Sequence, residues 1–436
     1  MPVLDTGLLS NRDESRMTHL SITALNMGRH KAVAGFQIYE ILPSLEEENY
    51  GSLHFTTLEI AALQPVVEPG CAFTVDYDMN GLQTFGVRVI VSGPGAGDVT
   101  AAMMERNTEG KVTAIHHMAV MSSKPEGRLL AYVANHTQHT ISVIDTGVNM
   151  RAATISLPPG SSPRLLDLAP DGLKAYVSCQ GDKTVRVIDT ITHSVCAEIG
   201  FPIGAVPFAV TAAPSGRKVY VTTMIEDYVA VIDTETDSIA KLISLPPGSD
   251  PTAIAVTPDG TRAYCCLINT GAIAVIDTSS DTITATIRLP KKSKPSAAAV
   301  TPDGEFIYAS DIHFEKVYVI EASTNRIVKS ISLIPGSDPQ NIVITPDGAI
   351  AYVASRGSDE LVVINISRNE ILTTIDLPNG SNMSDLAVTS DGSKVYVTIL
   401  TFGYVAVIDV ESHLPVAILP VGSFPSGVAI TPMRLV

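Results

Sequence analysis

Seven tyrosines of this chain follow one another at a constant interval of 44 residues, and no other feature restricts the fold as strongly. They are Tyr132, Tyr176, Tyr220, Tyr264, Tyr308, Tyr352 and Tyr396. A second series with the same interval consists of Asp145, Asp189, Asp233, Asp277, Glu321, Asn365 and Asp409. A repeat of this length is typical of proteins in which each unit buries its apolar surface against its neighbours.

Each repeat contains four short segments with the composition of β-strands. In the third repeat they are 219–223, 228–233, 239–245 and 253–257. These segments are rich in Val, Ile, Thr and Tyr, and Gly, Pro and Asp separate them, which predicts antiparallel strands joined by tight turns. Four strands in about 44 residues correspond to one blade of a β-propeller. The sequence therefore predicts an all-β protein with seven four-stranded blades.

The innermost strand of the first blade is predicted to come from the C-terminus. The other strands of that blade begin near Arg128, and a further copy of the innermost segment occurs at 425–432. Pairing of these two parts would close the ring and leave no open sheet edge. Residues 118–120 are the alternative for the same position.

The repeats resemble those of a known family of propellers. The segment 132–135 reads Tyr-Val-Ala-Asn, and later motifs read Val-Ile-Asp-Thr and Val-Thr-Pro-Asp-Gly. From about residue 128 to 432 the chain is similar to the YVTN-repeat seven-bladed β-propellers, although the Asn of that motif occurs only at Asn135. The resemblance implies the fold and leaves the activity open, because such propellers include periplasmic proteins, surface proteins, electron-transfer subunits and relatives of lactonases.

Composition restricts the partners. The formal net charge is −16, and Lys and Arg are scattered along the chain, which argues against nucleic acid and anionic membranes as partners. No apolar run is long enough to span a membrane. The N-terminus lacks the apolar region of an export signal, and the five cysteines show no Cys-x-x-Cys spacing. These features predict a soluble, acidic protein in the cytoplasm.

Three domains are predicted. Residues 1–16 form a disordered tail, 17–111 form a small β-sandwich-like, Ig-like domain, and 112–436 form the propeller. The small domain resembles no family that we recognise. We expect it to form a homodimer contact or to cap one face of the propeller.

Two motifs of the small domain have alternative interpretations. Residues 76–81 match the first half of a calcium loop, but Val87 stands where the bidentate Glu belongs, so a β-hairpin turn is favoured. Residues 93–97 resemble a phosphate-binding turn, but Asp98 would repel a phosphate, so a flexible turn is favoured.

Departures from the repeat predict a site at one mouth of the propeller channel. Polar residues interrupt the small or apolar positions of several innermost strands, and two histidines lie in a loop of the first blade. The candidate catalytic residues are Asp167, Asp385, His136 and His139, and the candidate substrate-binding residues are Arg164, Gln340 and Asn341. A second, weaker cluster consists of Asp311, His313, Glu315 and Arg356.

Three interpretations of the first cluster remain open. The acids and imidazoles could bind a divalent metal that activates water, although no cofactor is evident from a motif. They could instead act as general acid and base, with Arg164 anchoring an anionic substrate. The favoured interpretation is an ion pair between Asp167 and Arg164, with the histidines in solvated loops.

The favoured function is a binding scaffold that presents variable loops around the channel to a small-molecule or protein ligand. The alternative is an enzyme of the hydrolase or lyase kind, with a small-molecule site at the channel mouth. A structural surface protein is disfavoured by the missing export signal. Whether the protein is an enzyme stays open, since propeller enzymes assemble their sites from single residues on several blades.

Overall fold

A computed structural model of the chain describes residues 129–202 and 204–432 with their side chains, and it describes strands by their backbone within residues 1–118. The chain divides into two compact units, Met1–Glu126 with Gly147–Asn149, and Gly127–Thr146 with Met150–Val436. The domain boundaries at residues 16 and 111 stay predictions. The motifs at 76–81 and 93–97 lie outside the residues whose side chains are described.

The first unit contains two antiparallel sheets. One has the strand order β1-β7-β3-β4, with β5 paired to β3, and the other has the order β6-β2-β8-β9. The strands are β1 (Val3–Ser10), β2 (His19–Asn26), β3 (Ala32–Leu42), β4 (His54–Leu58), β5 (Val66–Val67), β6 (Ala72–Asp78), β7 (Thr84–Ser92), β8 (Val99–Arg106) and β9 (Val112–Met118).

The second unit is a seven-bladed propeller of four-stranded antiparallel blades, which confirms the predicted fold class. Blades 1 to 3 contain β10 (Leu130–Asn135), β11 (Thr140–Asp145) and β12 (Met150–Ser156); β13 (Pro163–Leu168), β14 (Lys174–Cys179), β15 (Thr184–Asp189) and β16 (Ser194–Gly200); and β17 (Val206–Ala212), β18 (Lys218–Met224), β19 (Tyr228–Asp233) and β20 (Ser238–Ser244). Blades 4 and 5 contain β21 (Pro251–Val256), β22 (Arg262–Leu267), β23 (Ala272–Asp277) and β24 (Thr282–Arg288); and β25 (Pro295–Val300), β26 (Phe306–Asp311), β27 (Lys316–Glu321) and β28 (Arg326–Ser332). Blades 6 and 7 contain β29 (Pro339–Ile344), β30 (Ile350–Ser355), β31 (Glu360–Asn365) and β32 (Glu370–Asp376); and β33 (Met383–Val388), β34 (Lys394–Ile399), β35 (Tyr404–Asp409) and β36 (Leu414–Pro420).

The C-terminal strand β37 (Pro425–Ile430) completes blade 1, as the repeat pattern predicts. It pairs antiparallel with β10, with Tyr132 opposite Ala429. The alternative segment is not used for this position, because β37 occupies the edge of β10 that faces the channel. The two ends of the propeller sequence therefore close the ring within one sheet.

The repeated tyrosines connect neighbouring blades. Each is almost completely buried, and six of them, all except Tyr264, direct the hydroxyl to the turn between the two outer strands of the next blade. The Tyr220 hydroxyl donates a hydrogen bond of 2.9 Å to Oδ1 of Asp281, and the Tyr352 hydroxyl lies 2.9 Å from Nδ1 of His413. The constant interval in the sequence thus reflects a contact between blades.

The repeated acidic series shapes the same turns. Oδ1 of Asp277 accepts hydrogen bonds from the hydroxyl of Ser279 at 2.7 Å and from the backbone N–H of Ser280 at 2.8 Å. These bonds lower the pKa of Asp277 to about 2. No helix that could cross a membrane occurs among the described residues.

Candidate functional site

The seven innermost strands surround a central cavity of about 760 Å³. All of these strands contribute lining residues, and so do the last residue of β18 and the loops that follow β22, β26 and β30. The innermost strands begin at one mouth of this channel, so a residue early in the strand lies near that mouth. We refer to this end as the first mouth.

Arg164 lies at the first mouth, directly after the first residue of β13. Its guanidinium carbon is 5.4 Å from the centre of the Phe208 ring, a cation–π contact between blades 2 and 3. Burial, together with the nearby charge of Arg356, lowers the pKa of Arg164 to about 10, although the charge of Asp385 partly opposes this decrease. The guanidinium is therefore poorly solvated and close to a second positive charge.

Arg356 reaches the same cavity from the loop that follows β30 in blade 6. Its backbone N–H donates to the carbonyl of Asp338 at 3.0 Å, and the residue is exposed. The ion pairs found within residues 129–202 and 204–432 involve neither Arg164 nor Arg356. Two cations thus converge on one mouth, and no carboxylate of the described residues is in ion-pair contact with either of them.

Asp385 links the innermost strands of blades 7 and 1. Its Oδ2 accepts a hydrogen bond of 2.8 Å from the N–H of Val428, and its Oδ1 accepts one of 2.9 Å from the N–H of Leu386. The Asn341 side-chain amide also donates to Oδ1. Burial raises the pKa of Asp385 to about 6, and the hydrogen bonds partly offset this rise. Asp385 is only 5% exposed, so its carboxylate contacts the neighbouring strands more than the channel.

Asp167 has the same arrangement between blades 2 and 3. Its oxygens accept hydrogen bonds from the N–H groups of Leu168 at 2.8 Å and Ala212 at 2.9 Å. Burial raises its pKa to about 6. Asp167 lies later in its strand than Asp385 does, and therefore farther from the first mouth. The ion pair with Arg164 that the sequence favoured is not among those of the described segments.

His136 lies close to Arg164. Burial lowers the pKa of His136, and the charge of Arg164 lowers it further. The ring packs edge-on against Phe424, with centroids 5.8 Å apart. Its Nδ1 is buried and has no hydrogen-bond partner within the described part of the chain. A neutral imidazole therefore stands beside the cationic mouth.

His139 takes part in a turn contact instead. Its Nδ1 accepts a hydrogen bond of 3.1 Å from the N–H of Ser162. The corresponding position in blade 3 is Asp227, whose carboxylate accepts from the N–H of Gly248 at 2.6 Å. His139 therefore holds the loop between blades 1 and 2 in the way that a carboxylate does elsewhere.

Gln340 and Asn341 lie in the channel wall of blade 6. The Gln340 amide donates to Oδ1 of Asp338 at 2.9 Å. Oδ1 of Asn341 accepts from the N–H of Ile342 at 2.7 Å, and its amide donates to Asp385. Gln340 thus lies beside the first mouth, whereas Asn341 belongs to the hydrogen-bond network between blades.

The second cluster is built from turn contacts. Oδ1 of Asp311 accepts from the N–H groups of Lys294 at 3.1 Å and His313 at 2.8 Å. Glu315 accepts from the N–H of Gly336 at 2.7 Å. Among the residues with described side chains, no three or more His, Cys, Asp or Glu are grouped closely enough to hold a metal ion.

The structure therefore brings together Arg164, His136, Gln340 and Arg356 at the first mouth, with Asp385 close behind. The sequence pattern placed Arg356 in the other cluster, and it contained no signal that a blade 6 loop reaches the blade 2 arginine. The sequence shows that Phe208 occupies the position in blade 3 that Arg164 has in blade 2. It does not show that the Phe208 ring packs against the Arg164 guanidinium.

Comparison with known protein families supports the seven-bladed propeller fold. The sequence model of the family described as "Lactonase, 7-bladed beta-propeller" matches residues 203–372 and 286–416. A comparison with curated proteins gave no match.

Three solved structures are similar to this chain in fold. Hydrazine synthase of Kuenenia stuttgartiensis has a TM-score of 0.57 and 22% identity, over 62% of this chain and 89% of that one. A functionally unknown protein from Desulfotomaculum acetoxidans has a TM-score of 0.61 and 14% identity, over 70% of this chain and 99% of that one. Dihydro-heme d1 dehydrogenase NirN in complex with DHE has a TM-score of 0.54 and 16% identity, over 70% of this chain and 76% of that one. At these identities the likeness shows the fold alone.

Proposed function

We propose that this protein, a propeller of the YVTN-repeat type, is a binding scaffold for a small molecule whose anionic group lies between Arg164 and Arg356. The observation that carries this proposal is the convergence of two guanidinium groups on one mouth without an ion-pair partner in the described residues. A desolvated arginine next to a second positive charge gains more from an anion than an isolated surface arginine does.

The channel behind the mouth suits the remainder of such a ligand. Its wall contains many small apolar residues, among them Ala253, Ala255, Ala297, Ala387 and Ala429. The cavity volume of about 760 Å³ lies in the range of small-molecule sites. We propose a carboxylate with an apolar body, bound with the body in the channel and beside the Phe208 ring. We also propose that the protein acts in the cytoplasm and that it forms a homodimer through residues 17–111.

The test is calorimetric titration with acetate, hexanoate, benzoate, succinate and phosphate as sodium salts at constant ionic strength. We expect saturable binding of at least one carboxylate, with affinity reduced about 10-fold or more in Arg164→Gln and in Arg356→Gln, because each loses a charge-assisted contact. The control is Arg326→Gln, an exposed arginine at the start of β28. Equal affinities in all three variants, or no binding of any salt, would contradict the proposal.

A hydrolase is the second candidate, and the match to the Lactonase family is the observation that favours it. In this version His136 acts as general base, because its lowered pKa keeps the imidazole neutral at pH 7 and its Nδ1 has no hydrogen-bond partner among the described residues. Opening of a lactone by water produces a hydroxy acid, whose carboxylate would lie between the two arginines.

Proton release from γ-butyrolactone and from longer-chain lactones tests this candidate. We expect hydrolysis above the rate of the buffer that falls at least 100-fold in His136→Ala. The control is His193→Ala, a histidine in an outer turn of blade 2. Absence of hydrolysis by the wild-type protein would remove the enzyme candidate and leave the binding scaffold.

A further inference from the structure

Asp167 places a carboxylate in the apolar part of the channel. It lies opposite Tyr176 in the sheet of blade 2, and it lines the same cavity as Arg164 and Arg356. In every other blade the residue opposite the repeated tyrosine is uncharged. These residues are Thr211, Ala255, Ala299, Val343, Ala387 and Ala429. The innermost strands therefore form this level of the ring without a carboxylate in the other blades.

The negative charge of Asp167 is not balanced by a cation among the described residues. Its oxygens accept hydrogen bonds from the N–H groups of Leu168 and Ala212, and none of the ion pairs found there includes it. Burial raises the pKa of Asp167 to about 6, so the group is mostly ionised above about pH 7. Each oxygen of a carboxylate can accept a second hydrogen bond. A cationic group in the channel would thus supply the missing charge.

A bulge in β13 brings Arg164 and Asp167 to the same channel although three residues separate them. The register of β13 against β14 shifts between Pro163 and Leu166, where β13 contains one extra residue. Such a bulge changes the face to which the following side chains point. At about 3.3 Å per residue, the two positions lie up to about 10 Å apart along the channel. The cavity therefore has a cation at its mouth and an anion at a deeper level.

The other carboxylates that line the cavity are Asp250, Asp338 and Asp385. The charge of a nearby arginine lowers the pKa of both Asp338 and Asp385. Asp250 directly precedes the first residue of β21, so it lies at the first mouth. Among the described residues, Asp167 is thus the deeper carboxylate of the cavity that has no such arginine.

We propose that the channel binds an ω-amino carboxylic acid, whose carboxylate lies between Arg164 and Arg356 and whose terminal ammonium group donates to the Asp167 carboxylate. This inference rests on the function proposed above and names the ligand class. The methylene chain of the ligand would contact the small apolar residues of the channel wall. A compound with the length of 6-aminohexanoate spans the two levels.

Calorimetric titration of the wild-type protein at constant ionic strength compares 6-aminohexanoate, its isomer 2-aminohexanoate, and hexanoate. We expect 6-aminohexanoate to bind at least 10-fold more tightly than either of the others. Hexanoate has no ammonium group for Asp167, and 2-aminohexanoate carries its ammonium group beside the carboxylate. Equal affinity for the two isomers would overturn the proposal, because the ammonium group would then lie at the mouth.

The matched variant is Asp167→Asn, which keeps an acceptor for a backbone N–H group and removes the charge. We expect the affinity for 6-aminohexanoate to fall at least 10-fold and the affinity for hexanoate to rise, so that the preference is reversed. The control is Asp171→Asn, an exposed residue that does not line the cavity and gives the same change in net charge. A preference for 6-aminohexanoate that persists in Asp167→Asn, or that is lost equally in Asp171→Asn, would overturn the proposal.

The same titrations separate this inference from the proposed function. If hexanoate binds and 6-aminohexanoate binds no more tightly, the inference is wrong and the carboxylate site stands. If 6-aminohexanoate loses affinity in Asp167→Asn but not in Arg164→Gln, the ammonium contact stands and the proposed carboxylate site is wrong. Absence of binding by both compounds overturns both. The comparison of the two isomers needs only the wild-type protein, so it decides the question even if Asp167→Asn does not fold.

Discussion

The Oδ2 atom of Asp385 accepts a hydrogen bond of 2.8 Å from the backbone N–H of Val428, which ties blade 7 to the strand that closes the ring. On its other side the closing strand is held to blade 2, since the Ser426 hydroxyl donates to the carbonyl of Arg164 at 2.7 Å. The closing strand is therefore anchored to both neighbouring blades, in addition to its pairing with β10.

Removal of the Asp385 carboxylate should weaken this closure. In Asp385→Ala the N–H groups of Val428 and Leu386 lose their acceptor inside the protein, so we expect the free energy of unfolding to fall by about 1–3 kcal/mol. Urea unfolding followed by circular dichroism measures the change. The control is Glu235→Ala, an exposed acidic residue. A midpoint equal to that of the control would show that this bond does not stabilise the ring.

The stability of the protein should depend on pH through Asp385. Its pKa is raised from 3.8 to about 6, so the folded protein holds this proton more tightly than the unfolded chain does. The resulting stabilisation is fully present below about pH 4 and is lost as pH rises through about 6. We expect the free energy of unfolding, relative to that of Asp385→Asn, to fall by about 1–3 kcal/mol between about pH 4 and pH 7.

Urea unfolding of both proteins at several pH values in this range measures that difference. The comparison with Asp385→Asn cancels the titration of the other groups, including His136. A difference that is constant, or that rises with pH, would contradict the raised pKa.

Gly427 should be required for the approach of the closing strand to blade 2. A Cβ atom at this position would lie 2.6 Å from the carbonyl oxygen of Arg164 and 2.9 Å from Cα of Leu165. Since both are backbone atoms, they cannot move aside cheaply, and we expect Gly427→Ala to destabilise the fold by about 1–3 kcal/mol. Gly200→Ala is the control, because a Cβ there meets nothing within 4 Å. Thermal unfolding of the two variants should differ clearly, and equal Tm values would contradict the close approach.

Two tyrosines of the repeat should respond differently to removal of the hydroxyl. Tyr220→Phe deletes the hydrogen bond to the Asp281 carboxylate, so we expect a loss of about 1–3 kcal/mol. Tyr264→Phe deletes a buried hydroxyl without a partner in the described residues, so we expect no loss or a small gain. Urea unfolding of the ligand-free variants measures both changes. A similar loss in both would mean that Tyr264 has a partner in solution.

Much of the architecture follows from residues that are close in the sequence. The tyrosine interval, the turn residues and the strand composition of 425–430 predicted seven blades and the closing strand correctly. They could do so because each blade repeats one local pattern, and because an open sheet edge is unfavourable.

The candidate site was predicted less completely. Arg164 and His136 lie close together, whereas Asp167 and His139 are held by backbone N–H groups. Which N–H group faces a side chain depends on the distance between blades. Backbone groups carry no residue identity, so a sequence pattern does not contain these contacts.

By itself, the sequence determined the number of blades, their strands and the closure of the ring, because these depend on periodic apolar burial and on turn chemistry. Only the tertiary structure decided that Arg356 lies near Arg164, that Asp385 holds the closing strand, and that the buried Tyr264 hydroxyl has no hydrogen-bond partner among the described residues. The physical reason is that these relationships join different blades, and the geometry of the closed ring sets the distances between them.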